Sequence, residues 1–501
     1  MSQEGNSNTW KKESGFIWSI LGSAIGFANI LSFSAQCYRN GGGAFLIPLL
    51  VAYLLLGIPV LVLEAVVGQR TGQPTVTAYG RYIGNIGRTL GWMSILTCLT
   101  IGAFYAVLTG YTVAYTYFSV ANLIPADTAT FFKVDFLQDS GSLDSWGGIS
   151  WAILLSTVVV VFAAWRVLTQ NIQSGIERIC SIFMPLMVLM VMVFAAVTLF
   201  LPGAWIGISH YLIPDFSRLS EFGIWRDAFG HLFFSLSLGL GIITGYSRYN
   251  GSQVNIGRAM RWVVVGDLTI SGLAGLVIFA CLGFLSLDSG VAFEDLVKSA
   301  STFELGFIVF PKVLQAMGPY ATPILGTLFF FSLFMAGITG VFSIAESIAG
   351  NVEVEFGTSR KTAVTVTTLA MLIGGAFFCT GNGQHILGSL APMVLGYVML
   401  FSGLLEVVIY FFIIHPIRDE VSRQIGLPSV RFTQAIGVLI CAILGFIFLG
   451  SLQEEVGQGI TLSFLVRWGW FAGALVAAMI MSRFSVHQHT TEETAAVIQT
   501  S

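Results

Sequence analysis

The chain has 501 residues, of which 55% are hydrophobic and only 10% charged. A soluble domain carries about 25% charged residues, so this surface must be covered largely by lipid. The net charge of −3 is small and says nothing about nucleic acid, but the basic residues are scattered, with no run that would grip phosphates, so no nucleic-acid partner is expected. Six single cysteines, at 37, 98, 180, 281, 379 and 441, form no CxxC or Cys/His pattern, so neither a metal centre nor a disulfide framework is expected.

In chain order, a polar segment at 1–14 comes first. It lacks the basic start and cleavage pattern of a signal peptide, so the first apolar segment is expected to stay in the protein. Hydropathy then predicts twelve spans: 16–38, 44–69, 91–121, 148–166, 178–201, 225–247, 259–285, 320–350, 362–380, 387–414, 433–451 and 463–483. They are long and continuously apolar, hence helices rather than barrel strands. With both termini inside, only Arg39, Lys133, Arg218, Arg226, Lys298, Lys312 and Arg467 of the 23 basic residues fall outside. That bias sets the orientation of a multi-pass inner or plasma-membrane protein.

Two outer loops are long. Residues 122–147 are polar and acidic. Residues 286–319 contain FELGFIVFPKVLQAM, which reads as a pair of short helices forming a lid or as a surface loop. A polar tail at 484–501 is expected to be disordered.

Glycine marks two spans. The first reads WSILGSAIGFANILSF and the sixth HLFFSLSLGLGIITGY. Alone, such glycines read as close helix contacts. At the first and sixth spans they fall at matching places of two inverted five-helix halves, the sequence mark of interrupted helices around a binding site. The halves would be 15–202 and 203–415, followed by helices eleven and twelve at 416–483.

GSAIGFANILSF, NGGGAFLIP and GIPVLVLE in the first two spans, FFSLSLGLG in the sixth, FELGFIVFP before the eighth and AGIT within it resemble the neurotransmitter:sodium symporter family and its bacterial amino-acid transporters. The resemblance implies a LeuT-like fold. It implies sodium-coupled symport of a small, apolar amino acid by alternating access, and no enzyme activity. A sensor or channel on the same fold, or a substrate that is a non-proteinogenic amino acid or an amine, remains the alternative.

It implies a substrate pocket of Ala24, Gly26, Ile101, Tyr105, Phe234, Ser235, Ser237, Leu240 and Ile344. It places one sodium at Ala24, Asn29, Ser235 and position 267, and a second at Gly22, Ile25, Ala336 and Thr339. Monoamine members carry an aspartate where this chain has Gly26, so an amino acid is favoured over an amine.

The sequence also departs from the family. Asp267 stands where asparagine is usual, and a carboxylate there is expected to ligate sodium or carry a proton. Leu49 and His231 replace the family's chloride-holding tyrosine and glutamine, so chloride is not expected to be required. Gly340 removes a serine hydroxyl near the second sodium and enlarges the pocket. Ser32 and Ala391 replace both halves of the outer charged gate. Trp10 matches at the inner face, where Lys11 or Lys12 is expected to pair with Glu353 or Glu355. Glu64 reads as a structural acid bonding backbone near the break of the first span, and Glu406 has no assigned role.

Overall fold

The computed structural model describes residues 9–251, 253–296, 302–457 and 459–484. The expected disordered tail lies outside them, apart from Phe484, which ends a helix.

The described chain is helical almost throughout. Besides a short helix at 128–136, the helices are α1 (Glu13–Ala24), α2 (Ala28–Arg39), α3 (Gly43–Thr71), α4 (Thr75–Val120), α5 (Trp151–Leu168), α6 (Gln173–Thr198), α7 (Ala204–Leu212), α8 (Phe222–Ser235), α9 (Ile242–Ser247), α10 (Ile256–Ser289), α11 (302–316), α12 (Thr322–Phe356), α13 (Arg360–Phe378), α14 (Gly383–Ile413), α15 (His415–Ile425), α16 (Val430–Gly457) and α17 (Leu462–Phe484). Among the described residues, ten helices are long and apolar enough to cross a membrane, and α1 with α2, bent by 55°, makes an eleventh. The expected sixth span is divided into α8 and α9. Each piece is shorter than the about 20 residues a bilayer needs, so it does not count by length alone.

α4 and α12 run against each other at the centre, and α5, α13 and α17 pack on the outside of α4. The most apolar stretch of α4 is 83% buried by protein, whereas that of α17 is 11% buried. The apolar face of α17 therefore has mainly lipid to meet. α4 is not one rod: Ile83 and Gly84 leave helical geometry, so a short leading helix turns into the long central one.

Among the described residues, the segment before α12, expected to face outward, holds a 3-10 turn at Phe293–Asp295 and one longer helix, α11. Its Phe307 and Phe310 are buried. Phe307 stacks on Phe132 and Phe330 and meets Tyr111 and Tyr115 edge-on. Such ring pairs contribute about 0.5–1.5 kcal/mol each beyond their buried area, which holds α11 over the outer end of the bundle.

α9 crosses α3 closely at Gly68. A Cβ there would overlap the Thr244 carbonyl and lie 2.9 Å from the Ser247 Cβ. Gly68→Val is therefore expected to destabilise the protein by about 1–3 kcal/mol, read as a lowered melting temperature. Gly445→Ala on α16, where a Cβ meets nothing within 4 Å, should leave it unchanged or slightly raised.

Candidate functional site

The site is built where two helical paths are interrupted. α1 stops at Ala24 because Ile25 turns extended, at φ −81° and ψ 110°. The Gly26 amide, displaced from the helix ladder, donates to Asn29 Oδ1 at 2.9 Å. The second interruption spans 236–241, between α8 and α9. Gly239 and Gly241 have φ of 74° and 70°, and Ser237 has φ of 54°. The glycines take this conformation freely, whereas Ser237 holds it at a cost of about 1–3 kcal/mol. Its hydroxyl donates to the Ser23 carbonyl at 3.4 Å, which ties one break to the other.

Asp267 on α10 fills the space beside the breaks and is fully buried. Its carboxylate accepts from Asn29 Nδ2 at 2.6 Å, from the Ser235 hydroxyl at 3.0–3.1 Å, and from the Tyr53 hydroxyl. Asn29 Nδ2 also reaches the Ser235 and Ser271 hydroxyl oxygens, each at 3.0 Å. α2, α3, α8 and α10 each contribute to this polar knot. Tyr53 is the member that sequence reasoning missed. Its signal was present: it lies one helical turn beyond Leu49 on α3, so the two share a face.

Next to the knot is a cavity lined by Ala24, Gly26, Ile101, Tyr105, Phe234, Ser237, Leu240 and Ile344. These are the expected pocket residues, except Ser235, whose hydroxyl turns to Asp267. Ser23, Ala28, Ile242, Gly340 and Ser343 complete the wall. The cavity volume is only about 20 Å³, room for one or two waters. Tyr105 explains the tightness. A Cβ on Gly340 would lie 2.8 Å from its ring, and one on Gly26 would overlap its hydroxyl. Gly340 therefore does not enlarge the pocket in this conformation; the tyrosine occupies the room.

Of the second expected cation group, Gly22 and Thr339 lie side by side. A Cβ on Gly22 would lie 3.1 Å from the Thr339 Cβ. The Thr339 hydroxyl donates back along α12 to the Met335 and Ala336 carbonyls, at 3.0 and 3.1 Å.

Both ends of the path carry charge networks that differ from expectation. At the end expected to face outward, a vestibule of about 670 Å³ is lined by Arg226, Asp227, His231, Phe303, Gln384 and Ala391, among others. Asp227 accepts from Asn40 at 3.2 Å and from Arg226, which also forks onto Glu454 at 2.6–2.7 Å. A charged outer network exists, at other positions than Ser32 and Ala391.

At the opposite end, Lys11 and Lys12 do not hold Glu353 or Glu355. The Lys11 amide donates to Glu177, Glu353 lies 3.7 Å from Arg360, and Glu355 lies 3.8 Å from Arg88. Glu355 and Glu346 are both buried here, and Glu346 takes Arg360, Arg248 and the Tyr249 hydroxyl. Trp10 docks here through Nε1 onto the Tyr246 carbonyl at 2.9 Å. Glu64 bonds backbone near an interruption, but that of the sixth span: its Oε1 accepts the Gly239 amide.

Comparison with known proteins fits this geometry. Residues 7–129 and 122–491 match the model of the Sodium:neurotransmitter symporter family. An uncharacterized sodium-dependent transporter of Methanocaldococcus jannaschii is 33% identical over 83% of this chain and 84% of its own. The sodium-dependent dopamine transporter of Bos taurus is 28% identical over 95% of this chain and 73% of its own. Among solved structures, MhsT in complex with L-phenylalanine superposes with a TM-score of 0.76, covering 89% of this chain and 99% of that one at 23% identity.

Tyr53→Phe removes a donor from a fully buried carboxylate. The expected loss is about 1–3 kcal/mol of stability, read as a lower melting temperature. In an Asp267→Asn background the same change should cost measurably less, because the charge it serves is gone.

Proposed function

The chain belongs to the sodium:neurotransmitter symporter family and is an integral membrane, sodium-dependent transporter, and from that premise we propose that it couples sodium entry to uptake of a small apolar amino acid by alternating access. The observation that carries this reading is the contact between the polar knot and the cavity. Asn29, Ser235 and Asp267 offer oxygen atoms, which suit a hard cation, and they sit beside Gly26 and Ser237 in the cavity wall.

The first sodium would take Asn29, Ser235, Asp267 and the Ala24 carbonyl. The second would take the carbonyls of Gly22, Ile25 and Ala336 with Thr339, once that hydroxyl turns its lone pairs outward. Tyr105, its hydroxyl beside Gly26, would bond the substrate carboxylate, and Phe234 would cap the pocket. Gly26 leaves no acid for a substrate amine, which favours an amino acid over a monoamine despite the dopamine-transporter relative. MhsT, with phenylalanine bound, shares the fold and gives the class a precedent. Because the cavity is tight, Tyr105, Leu240 and Ile344 must move apart for substrate to enter.

Asp267 supplies the fixed negative charge that an anion would otherwise bring, so chloride is not needed. Leu49 has no donor, and the ring nitrogens of His231 have no partner, between the rings of Phe33 and Phe45. The two interruptions take matching places in inverted halves over 15–202 and 203–415, with both termini cytoplasmic. The membrane potential adds about 2.3 kcal/mol per sodium charge per 100 mV, enough to drive accumulation.

The test is thermal stability of the purified protein across the amino acids in sodium and in potassium, since a bound ligand stabilises by RT ln(1 + [L]/Kd). One apolar amino acid should raise the melting temperature in sodium alone, equally with gluconate in place of chloride. A shift of the same size in potassium would overturn sodium coupling. Absence of any shift would overturn the amino-acid reading and turn attention to a sensor or another solute. Asp267→Asn should raise the sodium concentration for half-maximal stabilisation by roughly tenfold, about 1.4 kcal/mol; an unchanged value would remove Asp267 from the cation site.

A further inference from the structure

Two buried acids lie outside the knot. Glu64 on α3 and Glu406 on α14 are each 2% exposed. One oxygen of each is engaged. Glu64 Oε1 accepts the Gly239 amide at 2.9 Å, and Glu406 Oε1 accepts the Tyr79 hydroxyl. The remaining oxygen of each, Oε2, has no donor. Gly239 draws their helices together: its amide bonds Glu64, and a Cβ on it would lie 2.9 Å from the Met399 carbonyl and 3.4 Å from the Ser402 Cβ of α14, one turn before Glu406. The two unpartnered oxygens therefore lie on facing helices, and each carboxyl acts on the other.

The titratable groups that face them are Tyr79 from α4 and Tyr410 from α14. Neither brings positive charge, and among the described residues no cation acts on either carboxyl. Other elements add only apolar and hydroxyl groups near Glu406: Leu90, Met93 and Ser94 from α4, and Phe471 and Leu475 from α17. Two carboxylates in contact, away from water and cations, cannot both ionise. A buried oxygen without a donor is also costly. One proton between the pair removes both penalties, because the protonated carboxyl donates to the ionised one.

We infer that Glu64 and Glu406 together form a proton-binding site, one proton shared between the two carboxyl groups. The proton fastens α3 to α14. Through the Glu64–Gly239 bond it also anchors the interrupted path at 236–241, which carries Ser237 and Leu240 into the cavity wall. Loss of the proton would leave two facing negative charges behind that anchor. The proton site stands on the pair's own geometry; only its link to substrate rests on the function proposed above. As an interacting pair, the two acids titrate together and not residue by residue.

The test is infrared spectroscopy of the purified full-length chain at neutral pH. A protonated-carboxyl stretch is expected that moves on transfer to heavy water. It should vanish in Glu64→Gln and in Glu406→Gln and persist in Asp267→Asn. A missing band, or one that survives both glutamine changes, would overturn the site. Should the glutamine variants fail to fold, Tyr79→Phe keeps both carboxyls and removes only a donor to Glu406. It should displace the band, and an unmoved band would overturn the assignment. Raising the pH until the band disappears should lower the wild-type melting temperature. An equal drop in Glu406→Gln would show that the proton does not hold the anchor.

Discussion

Asp267 is an acid with no exposed surface at the junction of four helices, and much of the architecture answers to it. Isolated in an apolar interior, an ionised carboxylate costs several kcal/mol even after the protein relaxes. Here Asn29, Ser235 and Tyr53 all donate to it. Asn29 can do so only because its carbonyl oxygen is engaged by the Gly26 amide, and that amide is available only because α1 ends at Ala24. Ser235 is the last residue of α8, where the sixth span breaks. The two interruptions and the buried charge thus support one another, and the charge would be untenable in a bundle of continuous helices.

That dependence explains what the sequence discloses and what it conceals. The spans are legible because twenty apolar residues have few other uses. The breaks are legible because Gly22, Gly26, Gly239 and Gly241 cluster at two places in chain-distant spans. The cavity lining follows from the breaks, since residues flanking them must face inward. Tyr53 was not legible as a partner of Asp267. On sequence it is one more aromatic in an apolar helix, and only the approach of α3 to α10 shows where its hydroxyl goes. The charge networks at the two ends were hidden for a related reason. A family gate is sought at family positions, and Ser32 and Ala391 are empty of charge. Asn40, just after α2, Arg226 and Asp227 on α8, and Glu454 on α16 are distant in sequence and meet only after folding.

The inner end follows the same logic with different residues. Glu346 is buried against two arginines and a tyrosine hydroxyl. Breaking a buried pair by removing one partner costs about 3–5 kcal/mol, so Arg248, Arg360 and Glu346 are constrained to exist together. Arg248 closes the piece that carries α9, whereas Glu346 and Arg360 belong to α12 and α13. The network therefore joins the α9 half of the sixth span to the central wall. Trp10 adds a second tie to the same place through the Tyr246 carbonyl.

Tyr105 shows how such a scaffold can be closed without being filled. Its ring takes the volume that side chains at Gly26 and Gly340 would need, and it meets Phe27 edge-on at 5.1 Å. Where its ring lies against glycine rather than a branched side chain, Tyr105 gives up less contact on moving, because dispersion is summed over neighbouring atoms. A charged gate is costly to open, since each separated partner must be solvated again. A ring lying against two glycines moves at smaller cost. The glycines at 26 and 340 thus do more than spare room: they let the residue that closes the cavity also yield to what enters it.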